Sequence, residues 1–162
     1  MAAVDYFLRI TGVEGESADA KHKGEIDIDS WSWGASNTGT AQAGGGGGTG
    51  KVSIQDFHFV TRVSKASPRL FGACASGQHL KEARLTARKA GGSQAEFLTL
   101  TFADVLVSSY QTGGSEHSDV VPVDQVSLSF AKVMIEYRAQ KADGSLDAPI
   151  KAGWDLKKNS KL

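Results

Sequence analysis

Apolar and polar residues alternate along most of the chain with a period of two. Val4, Tyr6, Leu8 and Ile10 alternate with Asp5, Phe7, Arg9 and Thr11, a spacing that predicts a strand. From Gly24 to Gly34, Ile26 and Ile28 stand against Asp27 and Asp29, and Trp31 and Trp33 follow on the opposite parity. Val52 and Ile54, then Phe57 and Phe59, predict a third strand, and Leu85 and Ala87 between Arg84, Thr86 and Arg88 a fourth. Leu98, Leu100 and Phe102, extended through Val105 to Val107, predict a fifth. Val126, Leu128 and Phe130 predict a sixth, and Ile150 to Leu156 a short last one. Strands separated by glycine-rich turns, with few helical stretches, predict a mainly β, antiparallel sandwich or barrel.

Parity breaks inside three of these runs. The apolar positions move from even (126, 128, 130) to odd (133, 135, 137), and similar shifts separate Ile28 from Trp31 and Ile54 from Phe57. One extra residue near Ala131 or Lys132 would produce the first shift as a β-bulge, which bends a strand toward closure. Strands partly buried on both faces would produce it too, and either reading fits a barrel embedded in an assembly. One helix is predicted: Ser67 as N-cap, Pro68 at the first helical position, Arg69 to Ser76, and Gly77 as the stop. Leu70, Phe71 and Cys74 fall at helical spacing, so this short helix should plug or cover the barrel.

The length of 162 residues predicts a single domain, 1–162, able to bury a core without disulfides or metals. Eighteen basic and eighteen acidic side chains cancel, so the chain lacks the basic excess of a nucleic-acid binder, and self-repulsion does not oppose association. The basic groups Lys81/Arg84/Arg88/Lys89 and Lys157/Lys158/Lys161 accordingly read as solvated or inter-subunit faces. A lone cysteine, Cys74, excludes an internal disulfide and reads as a small buried hydrophobe. The start shows no basic n-region or long apolar core, and no stretch approaches a membrane span, so a soluble protein made in the cytoplasm without a Sec signal is expected, with no stable membrane insertion.

Residues 44–51 read GGGGGTGK, and Gly45, Gly50 and Lys51 match most of a phosphate-binding loop. Val52 stands where the Mg²⁺-binding hydroxyl belongs, and a strand-like stretch follows instead of a helix, so no nucleotide site is expected. Gly44, Gly45, Gly46, Gly47, Gly48 and Gly50 read instead as a loop ordered by a neighbouring subunit. The Trp31-Ser32-Trp33 pair fits core packing or a contact surface, for a carbohydrate or a subunit, with the glycine run favouring a subunit. His22, His58, His79 and His117 show no metal-ligand spacing, and His58 beside Asp56 reads as a hydrogen-bonded structural histidine. No nucleophile elbow is present, so no catalytic, metal or cofactor residues are assigned and a non-enzyme is expected. Gly113, Gly114 and Ser115, after the apolar Val105–Val107 stretch, predict a turn with room for an approaching partner.

Several segments in order resemble the haemolysin-coregulated protein (Hcp) family. They are VDYFLRITGVEGES, EIDIDSWSWG, GGGGGTGKVSIQDFHF, SPRLFGACASGQH, LTARKAGG, VLVSSYQTGGSE, QKADGS and GWDLKKN. The resemblance covers nearly the whole chain. It implies a small β-barrel with one helix that assembles as hexameric rings, stacked into the hollow, ejected tube of the bacterial type VI secretion system. It implies partners as well: other copies of the chain, secreted effectors, a spike protein and a contractile sheath. Under it, Gly113, Gly114 and Ser115 are expected to face cargo in the lumen, and the Asn37 to Gly50 arm to reach a neighbour. A small-ligand or carbohydrate-binding barrel using Trp31 and Trp33 is the alternative.

Overall fold

The computed structural model describes residues 4–37, 51–90, 94–119 and 121–162. Among these residues there are eleven strands and one helix. In order they are β1 (Val4–Ile10), β2 (Ile26–Asp27), β3 (Ser30–Ser32), β4 (Ala35–Asn37), β5 (Val52–Ile54), β6 (Phe57–Arg62) and α1 (Ala66–Ser76). The second half holds β7 (His79–Lys89), β8 (Glu96–Gly113), β9 (Val123–Tyr137), β10 (Ile150–Asp155) and β11 (Ser160–Lys161). Every pairing is antiparallel.

The barrel closes through β1, the β2–β3 segment, β6, β9, β8 and β7, and returns to β1. The β2–β3 segment changes partner midway: Ile28 N–H donates to the Tyr6 carbonyl at 3.0 Å, and Asp29 N–H to the Val60 carbonyl at 2.9 Å. This exchange is the physical reason for the parity change between Ile28 and Trp31, where a bulge would have been the simpler guess. The change between Ile54 and Phe57 is also a strand break, since β5 pairs with β4 and β6 with β3 and β9.

The third parity break has another cause. Pairing of β8 with β9 keeps one register across it, from Ala103 opposite Lys132 to Val105 opposite Phe130, so no residue is inserted at Ala131 or Lys132. Asp104, opposite Ala131, takes a left-handed conformation with φ 55°. Inward positions switch parity in three neighbouring strands at this level. On β7 they pass from Leu80 to Ala83 and Leu85, on β8 from Phe102 to Val105, and on β9 from Leu128 to Val133. The sheet is creased along Lys81, Asp104 and Ala131. The true register shifts lie on β8, where Ser108 is extra between Val107 and Ser109, and at Phe97 opposite the Ala87–Arg88 step.

The core holds Phe57, Phe59, Phe102, Leu8, Leu85, Leu100 and Leu128, all nearly or fully inaccessible. The helix contributes Ala66, Leu70 and Ala73; Phe71, expected among them, is 59% exposed, with its ring tilted against Tyr110 at 6.0 Å between centroids. Cys74 is half-buried against the core as a free thiol. The N-cap residue is Lys65, two residues before the predicted Ser67, and the serines on either side of it supply the hydrogen bonds at this end. Ala66 N–H donates to Ser64 Oγ at 3.1 Å and Ser64 N–H to Ser67 Oγ at 3.0 Å, a reciprocal arrangement like a capping box. Ser67 has a second role: its hydroxyl donates to the fully buried Asp124, which also accepts from Tyr110 at 2.8 Å and so ties helix to barrel. Gly77 ends the helix with φ 68°, as the sequence predicts.

The crease gives a direct test. A left-handed β-branched residue is strained where glycine is not, so Asp104→Val should be about 2 kcal/mol less stable than Asp104→Gly. Urea denaturation of the two variants side by side measures the difference.

Candidate functional site

The structure brings the predicted turn residues together at one end of the longest ladder. Gly113 is the last residue of β8, opposite Val123 at the start of β9, and Gly113, Gly114 and Ser115 are all exposed. A side chain on Gly113 would meet nothing within 4 Å, whereas one on Gly114 would come within 3.2 Å of Pro122 Cγ. A shallow cavity of about 290 Å³ opens here, lined by Gln111, Thr112, Ser115 and Ser118 among others. The hydroxyls, amides and backbone of its wall, beside the side chains of Val121 and Val123, can take a polar partner through hydrogen bonds, and none of the lining side chains is charged.

Gly44, Gly45, Gly46, Gly47, Gly48 and Gly50 lie outside the described residues. The strands that flank them do not: Ala35 pairs with Ile54, Ser36 with Ser53 and Asn37 with Val52, in a two-stranded sheet separate from the barrel. A hairpin this small has little stability of its own and needs a surface to lie on.

The tryptophans divide between two environments. Trp31 packs edge-on to Tyr6 with centroids 5.9 Å apart and lies 6.1 Å from Phe57, half-buried against the core. Trp33 lies beyond the end of β3, edge-on to Phe102 at 6.2 Å, at the margin of the core.

Sequence reasoning missed a buried ionic cluster. Arg88, read as part of a solvated or inter-subunit face, is 3% exposed. Its guanidinium donates to both Asp19 oxygens at 3.0 and 2.7 Å and to Asp5 at 3.3 Å, and lies 4.8 Å above the Phe7 ring. Phe7 stacks in turn on His22, whose ring nitrogens meet Glu25 at 2.9 Å and Glu96 at 2.7 Å. This chain of contacts clamps the 11–25 connection onto β1, β7 and β8. The side-chain hydrogen bond from Arg88 holds the Asp19 carboxyl well below the usual carboxylate range. Burial, then the charges of Asp19 and Asp5, push that of Asp27 up. Ala87 and Thr86 are buried beside Arg88, so the sequence signal was an arginine amid small and apolar inward positions. His58 bonds Ser127 Oγ at 3.1 Å, in keeping with a structural histidine. His79 and Lys157 both bind the Asp104 carboxylate, at 2.9 and 3.1 Å, and the His79 hydrogen bond chiefly lowers its pKa.

Among the described residues, no group of three or more His, Cys, Asp or Glu could hold a metal ion, and no helix is long and apolar enough to cross a membrane. What the geometry offers is a small closed barrel with a capping helix, a side hairpin and a polar turn, the equipment of a protein that works through its surfaces. Comparison with known proteins gives this class its identity. The family described as "Type VI secretion system effector, Hcp" matches residues 7–137, and the chain belongs to it. The chain is 52% identical over 159 residues to Protein hcp1 of Pseudomonas aeruginosa, covering 97% of this chain and 98% of that one. It resembles the crystal structure of Hcp1 from Salmonella typhimurium with a TM-score of 0.82 and 38% identity, each chain covered 100%. A further solved structure, of a type six secretion system protein, gives a TM-score of 0.91 at 32% identity, with 99% of this chain and 100% of that one covered. The chain is a type VI secretion protein with the Hcp fold.

The Asp19–Arg88 contact makes stability depend on pH in a defined direction. Asp19 has a lower pKa folded than unfolded, so its contribution is complete above about pH 5 and declines as the pH falls through about 4 and below. Asp19→Asn should therefore be less stable than the parent at pH 7, with the gap narrowing toward pH 3. Denaturation midpoints of both proteins across that range provide the measurement.

Proposed function

We propose that the protein is the structural tube subunit of the type VI secretion system. Six copies close into a ring, rings stack into a hollow tube, and the contractile sheath ejects that tube behind its spike with effectors held in the lumen. The subunit is made in the cytoplasm and leaves the cell in this way, without a catalytic role. The observation that carries the reading is likeness along the whole length, 52% identity with 97% and 98% coverage, to a protein of this family. Ring closure by one chain needs two different complementary surfaces on each copy. The side hairpin β4–β5 supplies a feature that one copy can extend and the next receive, and a zero net charge leaves neighbours unrepelled.

Gly113, Gly114 and Ser115 face the lumen in this reading, where a polar and uncrowded turn holds cargo without trapping it. The small-ligand barrel alternative has less support, because the family that matches residues 7–137 is a type VI secretion family.

Two outcomes are expected. The purified protein should have six times the mass of one chain by native mass spectrometry, and a concentration-independent monomer would sink the ring and the tube with it. Ser115→Gln adds bulk without charge at the exposed turn; it should leave the particle mass unchanged while reducing the amount of a bound effector that co-purifies. Full retention of effector would place the cargo surface elsewhere.

A further inference from the structure

On the outer face of the barrel two arginines stand directly opposite each other. Arg9 of β1 pairs in register with Arg84 of β7, and both side chains are exposed. Like charges opposed across a ladder repel, so the pair costs stability unless an anion lies between its members. Among the described residues, arginine ion pairs and hydrogen bonds belong to Arg88 and Arg138, and neither Arg9 nor Arg84 has such a partner.

Both arginines line a cavity of about 770 Å³. Pockets for small ligands run from ~300 to ~1,000 Å³. The 11–25 connection forms one wall and carries the exposed Lys21; the opposite wall holds Ser145 and Leu146. The floor is the row Thr86, Thr99 and Glu136, one residue each from β7, β8 and β9. Charge is graded along this floor. Arg9, Arg84 and Lys21 stand at the β1–β7 end, where the one lining carboxylate, Glu25, is 15% exposed and turned to His22 Nδ1 at 2.9 Å. At the other end Glu96 meets His22 Nε2 at 2.7 Å but stays 43% exposed, and Glu136 lies two strands, or about 10 Å, across from Thr86. Arg138, beside Glu136, is engaged with the loop wall, its Nε donating to the Asp147 carbonyl at 3.0 Å.

Two guanidinium forks at one end suit a phosphate group, whose tetrahedral oxygens accept from both at once, whereas one fork fills a planar carboxylate. The cavity is far larger than a phosphate alone, so the anion has room for an organic body over Thr86 and Thr99. Exposed carboxylates at the far end accept hydrogen bonds from hydroxyl groups and repel a second anion. We propose that the Arg9–Arg84 groove binds a small phosphate monoester with a hydroxyl-rich body, a sugar phosphate. Its phosphate lies between the two arginines with Lys21 as third cation, and its hydroxyls reach Glu96 and Glu136. The groove is on the outer face of the sheet, whereas the hairpin β4–β5 lies against the inner face at Val133 and Ile135. The site is independent of the tube reading.

Glucose 6-phosphate titrated calorimetrically into the purified, intact protein tests this. One saturable site per chain is expected. Glucose, without the phosphate, and inorganic phosphate, without the body, should each bind at least about tenfold more weakly, the scale of one charge-assisted hydrogen bond. Glucose 1,6-bisphosphate should bind more weakly than the monophosphate despite its extra charge, and Glu136→Gln should narrow that difference. Arg84→Gln should weaken glucose 6-phosphate by about tenfold or more at unchanged particle mass, while the ligand-free variant melts slightly higher than the parent because the repulsion is gone. The absence of saturable binding in the intact particle would overturn the proposal, including the case in which a neighbouring copy covers the groove. Inorganic phosphate binding as tightly as the sugar phosphate, a bisphosphate binding more tightly than the monophosphate, or affinity unchanged in Arg84→Gln would overturn it equally.

Discussion

The architecture turns on the crease at Asp104. Long antiparallel strands twist continuously, and a pair as long as β8 and β9 cannot keep one face inward around a small barrel. A left-handed residue in the middle of β8 lets three strands exchange their inward and outward faces at one level without losing register. Below the crease, β9 meets β6 and the barrel closes; above it, β9 meets β10 and the sheet runs on as an open wall. The hairpin β4–β5 faces that open wall, and the polar turn sits at the far end of the same ladder. His79 and Lys157 hold the Asp104 side chain from β7 and from beyond β10, so the strained residue is anchored by its neighbours on both sides.

Much of this was legible in the sequence. Period-two alternation located the long strands, Gly77 marked the end of the helix, and the segments resembling the Hcp family placed the chain in the family the comparisons show. The parity breaks were located correctly, but alternation records only which way a residue points. It cannot separate an inserted residue from a change of partner or a crease, because all three shift the phase by one. Asp104 within FADVLV was the available clue, since aspartate is poorly suited to a regular strand and tolerates the left-handed region.

The helix cap and the ionic cluster were illegible for a different reason. Ser67 is the cap that the sequence offers, and Asp124, 57 residues away, claims its hydroxyl. Arg88 reads as a surface residue until the 11–25 connection folds over it and brings Asp19 to its guanidinium. Long-range partners decide such positions, and a local pattern holds no record of them. Gly113–Ser115 was legible as a turn because turn chemistry is local, whereas the surroundings of Trp33 and Trp154 arise only where β4–β5 and β10 meet.

The pairing of β6 with β9 also sets the order in which the chain can become a barrel. Phe57 is made early and its partner Leu128 late, so during synthesis the outer edge of β6 waits for roughly several seconds at ordinary elongation rates. Through that interval the nascent chain exposes an unpaired strand bearing Phe57 and Phe59, which are fully covered in the finished protein. Local hairpins such as β7–β8 can form while it waits, but closure, with its large sequence separation, comes last and slowly. Until the ribosome has released enough of β9, the chain resembles an open sheet with a sticky border, the kind of species that chaperones attend.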